Sequence, residues 1–238
     1  MRADRLLVER DLFESRAKAQ AAIAAGLVIA GDRPVRKASE ELATDVTLLA
    51  QSEHPYVSRG GVKLAAALDR FGFGPRGRCC LDVGASTGGF TQVLLERGAA
   101  RVYAVDVGSG QLHASLRAEP RVVSLEQTNI RAVSPALLPQ PPDFITLDVS
   151  FISLKLVLPP ALKLVRSPAD MVALIKPQFE AGRAQLKKGI VRDAGVQAAV
   201  CDDIAAALAD LGWTVTGLLP SPIVGGDGNR EFLIGART

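Results

Sequence analysis

The amino-acid sequence predicts an α/β fold with a mostly parallel sheet, preceded by a small α+β module. Three observations support this prediction. Short apolar runs alternate with amphipathic segments from residue 62 to the C-terminus, which is the pattern of a doubly wound sheet. A glycine-rich turn separates the first of these runs from the helix that follows it. The first fifty residues instead contain two helical segments and a short hairpin.

Composition limits the class of protein. The chain has 238 residues, 48% of them hydrophobic and 22% charged, which is ordinary for a globular protein of one or two domains. Its net charge is only +3, so binding to nucleic acid would need a local basic surface. Cys79, Cys80 and Cys201 form no metal-binding pattern, so we expect no metal site and a reducing, cytoplasmic location. No apolar run has the roughly 18 residues of a membrane span, and no signal peptide is visible.

The chain order suggests two domains. Residues 1–50 form the α+β module, with helices predicted at 4–13 and 16–25. Residues 51–61 are the predicted linker because Pro55, Gly60 and Gly61 interrupt regular structure there. Residues 62–238 form the α/β domain, in which a polar loop is predicted at 185–193.

The glycine-rich turn between residues 81 and 91 indicates a nucleoside cofactor. Glycines let a ligand approach the backbone, and the N-terminus of the next helix points its N–H groups at that ligand. A dinucleotide cofactor is disfavoured, because its fingerprint has glycine where this chain has Ser86 and because Asp82 would repel a pyrophosphate. The turn is not a nucleotide phosphate loop either, since no Gly-Lys-Ser/Thr follows it. S-adenosylmethionine, which carries a sulfonium and an ammonium group, suits that carboxylate better. A purely structural turn would explain the glycines but not the carboxylates.

We therefore assign parts of the cofactor to individual residues. Asp82 is expected near the ammonium group. Asp106 follows the second strand and is expected to accept hydrogen bonds from the ribose. Asn129 follows the third strand and is the candidate for the adenine. The methionine part is assigned to the three turn residues Gly84, Ser86 and Gly88.

Charged side chains follow several of the predicted strands. Asp82, Asp106, Asp148 and Lys176 each end an apolar run, and the carboxyl ends of parallel strands form the ligand-binding edge of such a sheet. Glu231 begins a run, so an antiparallel last strand would bring it to the same edge. Lys63 lies in the first turn of a helix, where the helix dipole disfavours a lysine.

These residues carry a resemblance to a known family. Lys63, Asp148, Lys176 and Glu231 match the Lys-Asp-Lys-Glu tetrad of FtsJ-like RNA 2′-O-methyltransferases. The phrases beginning at Asp82 (DVGASTGGFT), Asp148 (DVSFISL), Lys176 (KPQFE) and Gly228 (GNREFL) are similar to the TlyA, or haemolysin A, type. The resemblance covers the whole chain and implies a Rossmann-like methyltransferase that modifies a cytidine 2′-hydroxyl in ribosomal RNA. One departure is Lys187-Lys188-Gly189-Ile190, where the family usually has a second glycine.

Residues 1–48 resemble the S4 RNA-binding domain, through RLLVERDL, SRAKA and the run from Ile23 to Val28. The resemblance implies that basic helices contact the RNA backbone. Such contacts recognise the shape of the RNA and its phosphate groups. A solvated basic face would explain the same charges if the order of residues were ignored. Ala30 departs from the asparagine that is frequent in that family. The candidate RNA-binding residues are Arg2, Arg5, Arg16 and Lys18.

The tetrad suggests a mechanism that needs no metal. A ribose 2′-hydroxyl must lose its proton as it attacks the methyl group, and Lys176 is either the general base or the cation that stabilises the developing alkoxide. A free lysine has a pKa of about 10.4, so the base role requires burial or a second cation such as Lys63. Asp148 and Glu231 would orient the lysines and the hydroxyl.

Three other functions compete with this hypothesis. A membrane-active protein, suggested by the haemolysin name, would need a membrane span or a strongly amphipathic helix, and the helix at 16–25 lacks large apolar side chains. An RNA-binding protein with an inactive methyltransferase fold is disfavoured by the complete tetrad. A nicotinamide oxidoreductase is disfavoured by Ser86.

Overall fold

The computed structural model describes residues 1–10, 12–13, 15–50, 54–225 and 228–238. It divides the chain into two compact units, Met1–Pro55 and Tyr56–Thr238. The division lies within the range predicted as a linker, whose residues 51–53 are outside the described residues. Gly60 and Gly61, predicted as linker, instead form the first turn of a helix that begins at Gly60, so the α/β domain begins before residue 62.

The first unit packs two helices on a small antiparallel sheet. The helix predicted from residue 4 to 13 ends at Glu9. The sheet has the order β2-β1-β3, with β1 antiparallel to both neighbours. Its core is made of apolar side chains, including Leu6, Phe13, Ile23 and Val28. The elements are α1 (Ala3–Glu9), α2 (Arg16–Ala24), β1 (Val28–Ala30), β2 (Arg33–Pro34) and β3 (Leu48–Ala50).

The second unit contains a seven-stranded sheet with the order β6-β5-β4-β7-β8-β10-β9. Its strands are β4 (Cys79–Val83), β5 (Arg101–Val105), β6 (Val122–Leu125), β7 (Phe144–Leu147), β8 (Asp170–Ile175), β9 (Thr214–Pro220) and β10 (Phe232–Arg237). Strand β10 is antiparallel to both β8 and β9, and the pairings among β4 to β8 are parallel. The predicted mostly parallel sheet with an antiparallel last strand is confirmed.

Helices cover both faces of this sheet. They are α3 (Gly60–Phe71), α4 (Gly89–Glu96), α5 (Ala114–Arg117), α6 (Leu154–Leu162), α7 (Pro177–Glu180) and α8 (Ala194–Asp210), with 3₁₀ turns at Ile130–Ala132, Pro135–Leu137 and Arg183–Gln185. Successive strand residues point to opposite faces. Cys80 accordingly packs in the cluster with α3 and α4, whereas Leu81 packs in the cluster with α6 and α8.

The chain order reverses at β4, which pairs with β5 on one side and with β7 on the other. In open α/β sheets the crevice at such a reversal, outside the carboxyl ends of the strands, is the place where ligands bind. The glycine turn after β4 and the segment after β7 border this crevice. The register brings Phe232 of β10 opposite Ile175 of β8, so Glu231 and Lys176 lie at the same edge.

Candidate active site

The glycine turn after β4 packs directly on the backbone that follows β7. Gly84 has a φ of +84°, and a Cβ atom there would lie 2.4 Å from the carbonyl oxygen of Asp148. This position therefore requires glycine both for its backbone conformation and for the close approach of the two segments. A substitution at Gly84 would disturb folding as well as ligand binding. Such a variant therefore cannot test cofactor binding separately from folding.

Asp82 lies within β4, and not after it, and is fully buried. Its carboxylate accepts hydrogen bonds from the hydroxyls of Thr91 (2.7 Å) and Thr146 (2.9 Å). Burial raises the pKa of Asp82 to about 6, although the two hydroxyls oppose that change. The Asp82 side chain borders neither of the two cavities described below, so its position near the ligand ammonium group stays a prediction. Asp82 ties β4 to α4 and β7.

Gly88 also differs from its expected role. It is the residue before α4, with a φ of +101°, and a Cβ atom there would lie 2.2 Å from the Leu116 side chain. Gly88 borders neither of the two cavities described below. Its glycine is explained by backbone conformation and packing, and not by contact with a ligand.

A cavity of about 360 Å³ lies at the crevice beside β4, β5 and β7. Asp106 and Asn129 border it, together with apolar Val107 and Ile130. The Asp106 carboxylate accepts hydrogen bonds from the backbone N–H of Ser86 (2.8 Å) and of Gly108 (2.7 Å). These bonds fix the carboxylate and leave it further acceptor capacity, as a ribose diol would require.

Asn129 borders this cavity with its side-chain oxygen already engaged. Its side-chain oxygen accepts hydrogen bonds from the backbone N–H (3.0 Å) and guanidinium Nε (3.2 Å) of Arg131. The apolar side chains of Val107 and Ile130 lie beside it. A flat, apolar ring with a hydrogen-bond acceptor on its edge would fit between these groups.

A second cavity of about 300 Å³ adjoins the first and is more polar. The two cavities share Gly84, Ser86, Asp148 and Ser150. Two lysines border the second cavity: Lys63 from the first turn of α3, and Lys176 from the end of β8. The shared residues therefore connect a nucleoside-sized cavity with one that contains cationic side chains.

The four tetrad residues form two ion pairs. The Nζ atom of Lys63 lies 2.5 Å from Oε2 of Glu231, and both side chains are largely buried. The Nζ atom of Lys176 lies 2.6 Å from Oδ1 of Asp148 and donates a hydrogen bond of 2.8 Å to the Ser150 hydroxyl. The structure thus brings together all four residues that the sequence analysis selected, in pairs from distant parts of the chain.

Three residues at this site were missed by the sequence analysis. Ser150 contacts Lys176, and its place two positions after Asp148 was the available signal. Gly225 packs on Glu231, since a Cβ atom there would lie 2.1 Å from Oε1. Phe151 is 90% exposed, has a φ of +62° and lies 5.1 Å from the Phe179 ring, centroid to centroid. Nothing in sequence pattern predicts an exposed phenylalanine in that conformation.

The basic residues of the first unit fall into two groups. Arg2 and Arg16 donate hydrogen bonds to the fully buried Asp4, at 3.0 Å and 2.7 Å. The hydrogen bond from Arg2, and then those from Arg16 and Gln20, lower the pKa of Asp4 well below its usual range, against the effect of burial. Arg5 is exposed, and Lys18 is half-buried. Arg2 and Arg16 therefore have a structural role that the sequence analysis did not include.

The fold and the site together define the class. A seven-stranded sheet with one reversed strand, a glycine turn at the point of reversal and an acidic residue after the second strand characterise S-adenosylmethionine-dependent methyltransferases. The chain belongs to the FtsJ-like methyltransferase family, whose model matches residues 56–238. S-adenosylmethionine is the cofactor of this class, and the crevice fits it through the Asp106 carboxylate and the adjacent apolar lining.

Relatives cover the whole chain. TlyA of Mycobacterium tuberculosis, named a 16S/23S rRNA (cytidine-2′-O)-methyltransferase, is 45% identical over 100% of this chain and 90% of its own length. YqxC of Bacillus subtilis, which has a provisional name as an rRNA methyltransferase, is 48% identical over 98% of this chain and 84% of its own. A solved structure from Streptococcus thermophilus, provisionally named a hemolysin, has a TM-score of 0.80 and 43% identity, covering 100% of this chain and 88% of that one.

Within the described residues, no helix combines the length and the apolar sequence that a bilayer crossing requires. In the same part of the chain, no three His, Cys, Asp or Glu side chains are close enough together to hold a metal ion.

Proposed function

We propose that this protein transfers the methyl group of S-adenosylmethionine to a ribose 2′-hydroxyl, of a cytidine, in ribosomal RNA. The observation that carries this proposal is the pair of lysine–carboxylate contacts at the polar cavity. Lys176 with Asp148 and Lys63 with Glu231 meet beside the crevice that fits the cofactor. The names of the relatives supply the substrate class.

We assign Lys176 to the attacking oxygen. Its Nζ atom is held by Asp148 and Ser150, two residues that also border the cofactor crevice. A hydroxyl entering the polar cavity would meet Nζ on one side and the cofactor on the other. Positioning of the nucleophile close to the methyl group supplies much of the rate in such a transfer.

Lys63 supplies a second cation, whose carboxylate partner is more buried than that of Lys176. Its ion pair with Glu231 joins the first turn of α3 to the start of β10. Because both side chains are largely buried, the pair has little freedom to move, and Lys63 keeps a fixed position at the cavity. We assign it to the binding of the ribose and to stabilisation of negative charge on the oxygen.

Phe151 supports a nucleotide as the substrate. A phenylalanine ring that is 90% exposed loses the benefit of burial, and its φ of +62° is unfavourable for a bulky residue. It borders the cofactor crevice and packs on Phe179, three positions after Lys176. We assign Phe151 as a surface on which the base of the target nucleotide stacks, a contact that aromatic side chains commonly make with unpaired bases.

The first unit is proposed as an S4-like RNA-binding module that contributes affinity and not chemistry. Arg5 is exposed on α1, while the side chains of Arg2 and Arg16 stay partly exposed beside Asp4, at 38% and 48%. The partner would be ribosomal RNA, free or within a ribosomal subunit, which implies a cytoplasmic location.

Mapping of 2′-O-methyl groups on ribosomal RNA tests the proposal. RNA from cells lacking the gene should lose one or more cytidine 2′-O-methyl groups, and purified protein with S-adenosylmethionine should restore them. The Lys176→Ala variant is the control, because it should bind cofactor and restore none. Unchanged methylation in cells and no transfer in vitro would contradict the proposal and favour an inactive methyltransferase fold.

A further inference from the structure

A tight turn precedes α8. Lys187 and Ile190 exchange backbone hydrogen bonds of 3.0 Å and 3.1 Å, which makes Lys188 and Gly189 the two central residues of a hairpin loop. Their φ angles are +53° and +78°. A loop with two positive φ angles ordinarily takes Asn-Gly, so lysine at the first position is unfavourable there. A residue held in such a conformation calls for a functional explanation.

The turn is held in place by buried amide side chains. Asn229 donates a hydrogen bond to the carbonyl of Gly189 (3.2 Å) and accepts one from the N–H of Val191 (3.4 Å). Gln197 donates another to the carbonyl of Val191 (2.7 Å). Asn229 lies two residues before Glu231. The turn is therefore attached to the segment that leads into the catalytic tetrad.

Four cationic side chains lie in or beside this turn. Lys187, Lys188, Arg192 and Arg230 are all exposed, and none forms an ion pair with a described residue, unlike surface arginines such as Arg97 and Arg121. Arg192 and Arg230 border one open cavity of about 520 Å³. We call these four residues the basic turn surface.

We propose that the basic turn surface binds phosphate groups of the RNA strand next to the target nucleotide. This inference rests on the proposed function. Arg230 directly precedes Glu231, whose ion-pair partner Lys63 borders the polar cavity, so one end of the surface adjoins the tetrad in the chain. Phosphate is preferred over an acidic protein as the partner because the surface is built from solvated cations, whereas protein interfaces contain a more apolar core. Contacts to phosphate would set the position of the strand and not its sequence.

The test measures RNA binding by the full chain. The probe is a labelled ribosomal RNA hairpin whose methylation by the wild type has been measured, and the variant is Lys187→Gln/Lys188→Gln. A matched control, Arg70→Gln/Lys163→Gln, removes two exposed cations elsewhere in the second unit. Two lost phosphate contacts should make the slope of log K against log salt shallower by about 1.4–1.8. Affinity should fall about tenfold, the KM for RNA should rise, and kcat and S-adenosylmethionine binding should stay at wild-type values.

A second variant separates charge from folding. Lys188→Gly suits the positive φ and should keep or raise the melting temperature, yet it removes one cation and should weaken RNA binding. Wild-type affinity and salt slope in both variants would overturn the inference, as would an equal loss in the control. A loss seen with ribosomal subunits but not with naked RNA would overturn it in favour of a protein partner. Failure of the proposed function would appear separately, as wild-type protein that methylates no RNA.

Discussion

Lys63 and Glu231 are 168 positions apart in the chain and meet in an ion pair of 2.5 Å between Nζ and Oε2. The contact joins the first helix of the second unit to its last strand. Gly225 packs against the other carboxylate oxygen, Oε1. The position of Lys63, which we propose contacts the ribose, therefore depends on a glycine that has no side chain to take part in the reaction.

Gly225→Ala should displace this pair. The added Cβ atom would lie 2.1 Å from Oε1 of Glu231, so the glutamate side chain has to move and Lys63 loses its fixed partner. We expect kcat to fall by about 10²-fold, the cost of a misplacement near 1 Å, with S-adenosylmethionine affinity unchanged by calorimetry. Gly182→Ala, where the nearest atom lies 3.7 Å away, is the control. Wild-type turnover in Gly225→Ala would show that the pair is not needed in this geometry.

Substitution of Lys176 separates its two possible roles. Lys176→Ala should abolish methyl transfer and retain cofactor binding, because the cofactor crevice is bordered by other residues. Arginine keeps the charge but does not give up its proton. If Lys176 is the base, Lys176→Arg should be almost as inactive as Lys176→Ala, and wild-type activity should rise with pH. If Lys176 stabilises the alkoxide, Lys176→Arg should retain measurable turnover. Full activity in Lys176→Ala would refute both roles.

The raised pKa of Asp82 predicts that its contribution to the free energy of unfolding decreases as the pH rises. Its pKa is raised from 3.8 to about 6 by burial, so the folded state binds the proton more tightly than the unfolded state does. Its contribution to the free energy of unfolding is therefore greatest below pH 3.8 and falls as the pH rises to 6, by up to about 3 kcal/mol.

Asp82→Asn should remove this dependence, because the amide stays neutral and the two threonine hydroxyls can each serve as donor or acceptor. Urea unfolding from pH 4 to 7.5 should show the stability of the wild type falling relative to that of Asp82→Asn as pH rises. The exposed Asp202→Asn is the control. A stability difference that is constant or moves in the opposite direction would show that folding does not raise the pKa of Asp82.

Arg2 and Arg5 should respond differently to alanine. Arg2→Ala removes one partner of the buried Asp4 carboxylate and should destabilise the first unit by about 1–3 kcal/mol, as well as weakening RNA binding. Arg5 is exposed on the same helix, so Arg5→Ala should weaken RNA binding with no change in melting temperature. Equal RNA affinity in wild type and Arg5→Ala would remove α1 from the proposed RNA contact.

Much of the second unit could be predicted from sequence because its signals are local. Apolar runs at 144–147 and 171–175 predict buried strands, and the structure has β7 at Phe144–Leu147 and β8 at Asp170–Ile175. Parallel pairing then follows from the helices between strands. The segment that leads into β10 was expected to bring Glu231 to the ligand edge, and the antiparallel register confirms that position.

Short-range sequence patterns did not predict whether a side chain points toward the crevice or into the core. Asp82 and Asp106 look alike in sequence, as an acid beside an apolar run, yet Asp106 borders the crevice and Asp82 is buried beneath it. The difference is that β4 continues for one more residue, to Val83, so that Asp82 is an internal strand residue whose side chain enters the core. Arg2 and Arg16 were selected by charge and by the resemblance to the S4 domain, and their shared contact with Asp4 depends on helix packing.

The sequence by itself determined the fold class, the glycine turn, the four residues of the tetrad and the resemblance that names the chemistry, because these depend on short-range pattern and residue type. The tertiary structure alone decided how the tetrad divides into two ion pairs, which acidic residues reach the crevice, why Gly84, Gly88 and Gly225 are glycines, and where the basic turn surface lies. Those properties depend on contacts between segments far apart in the chain, whose distances no local pattern encodes.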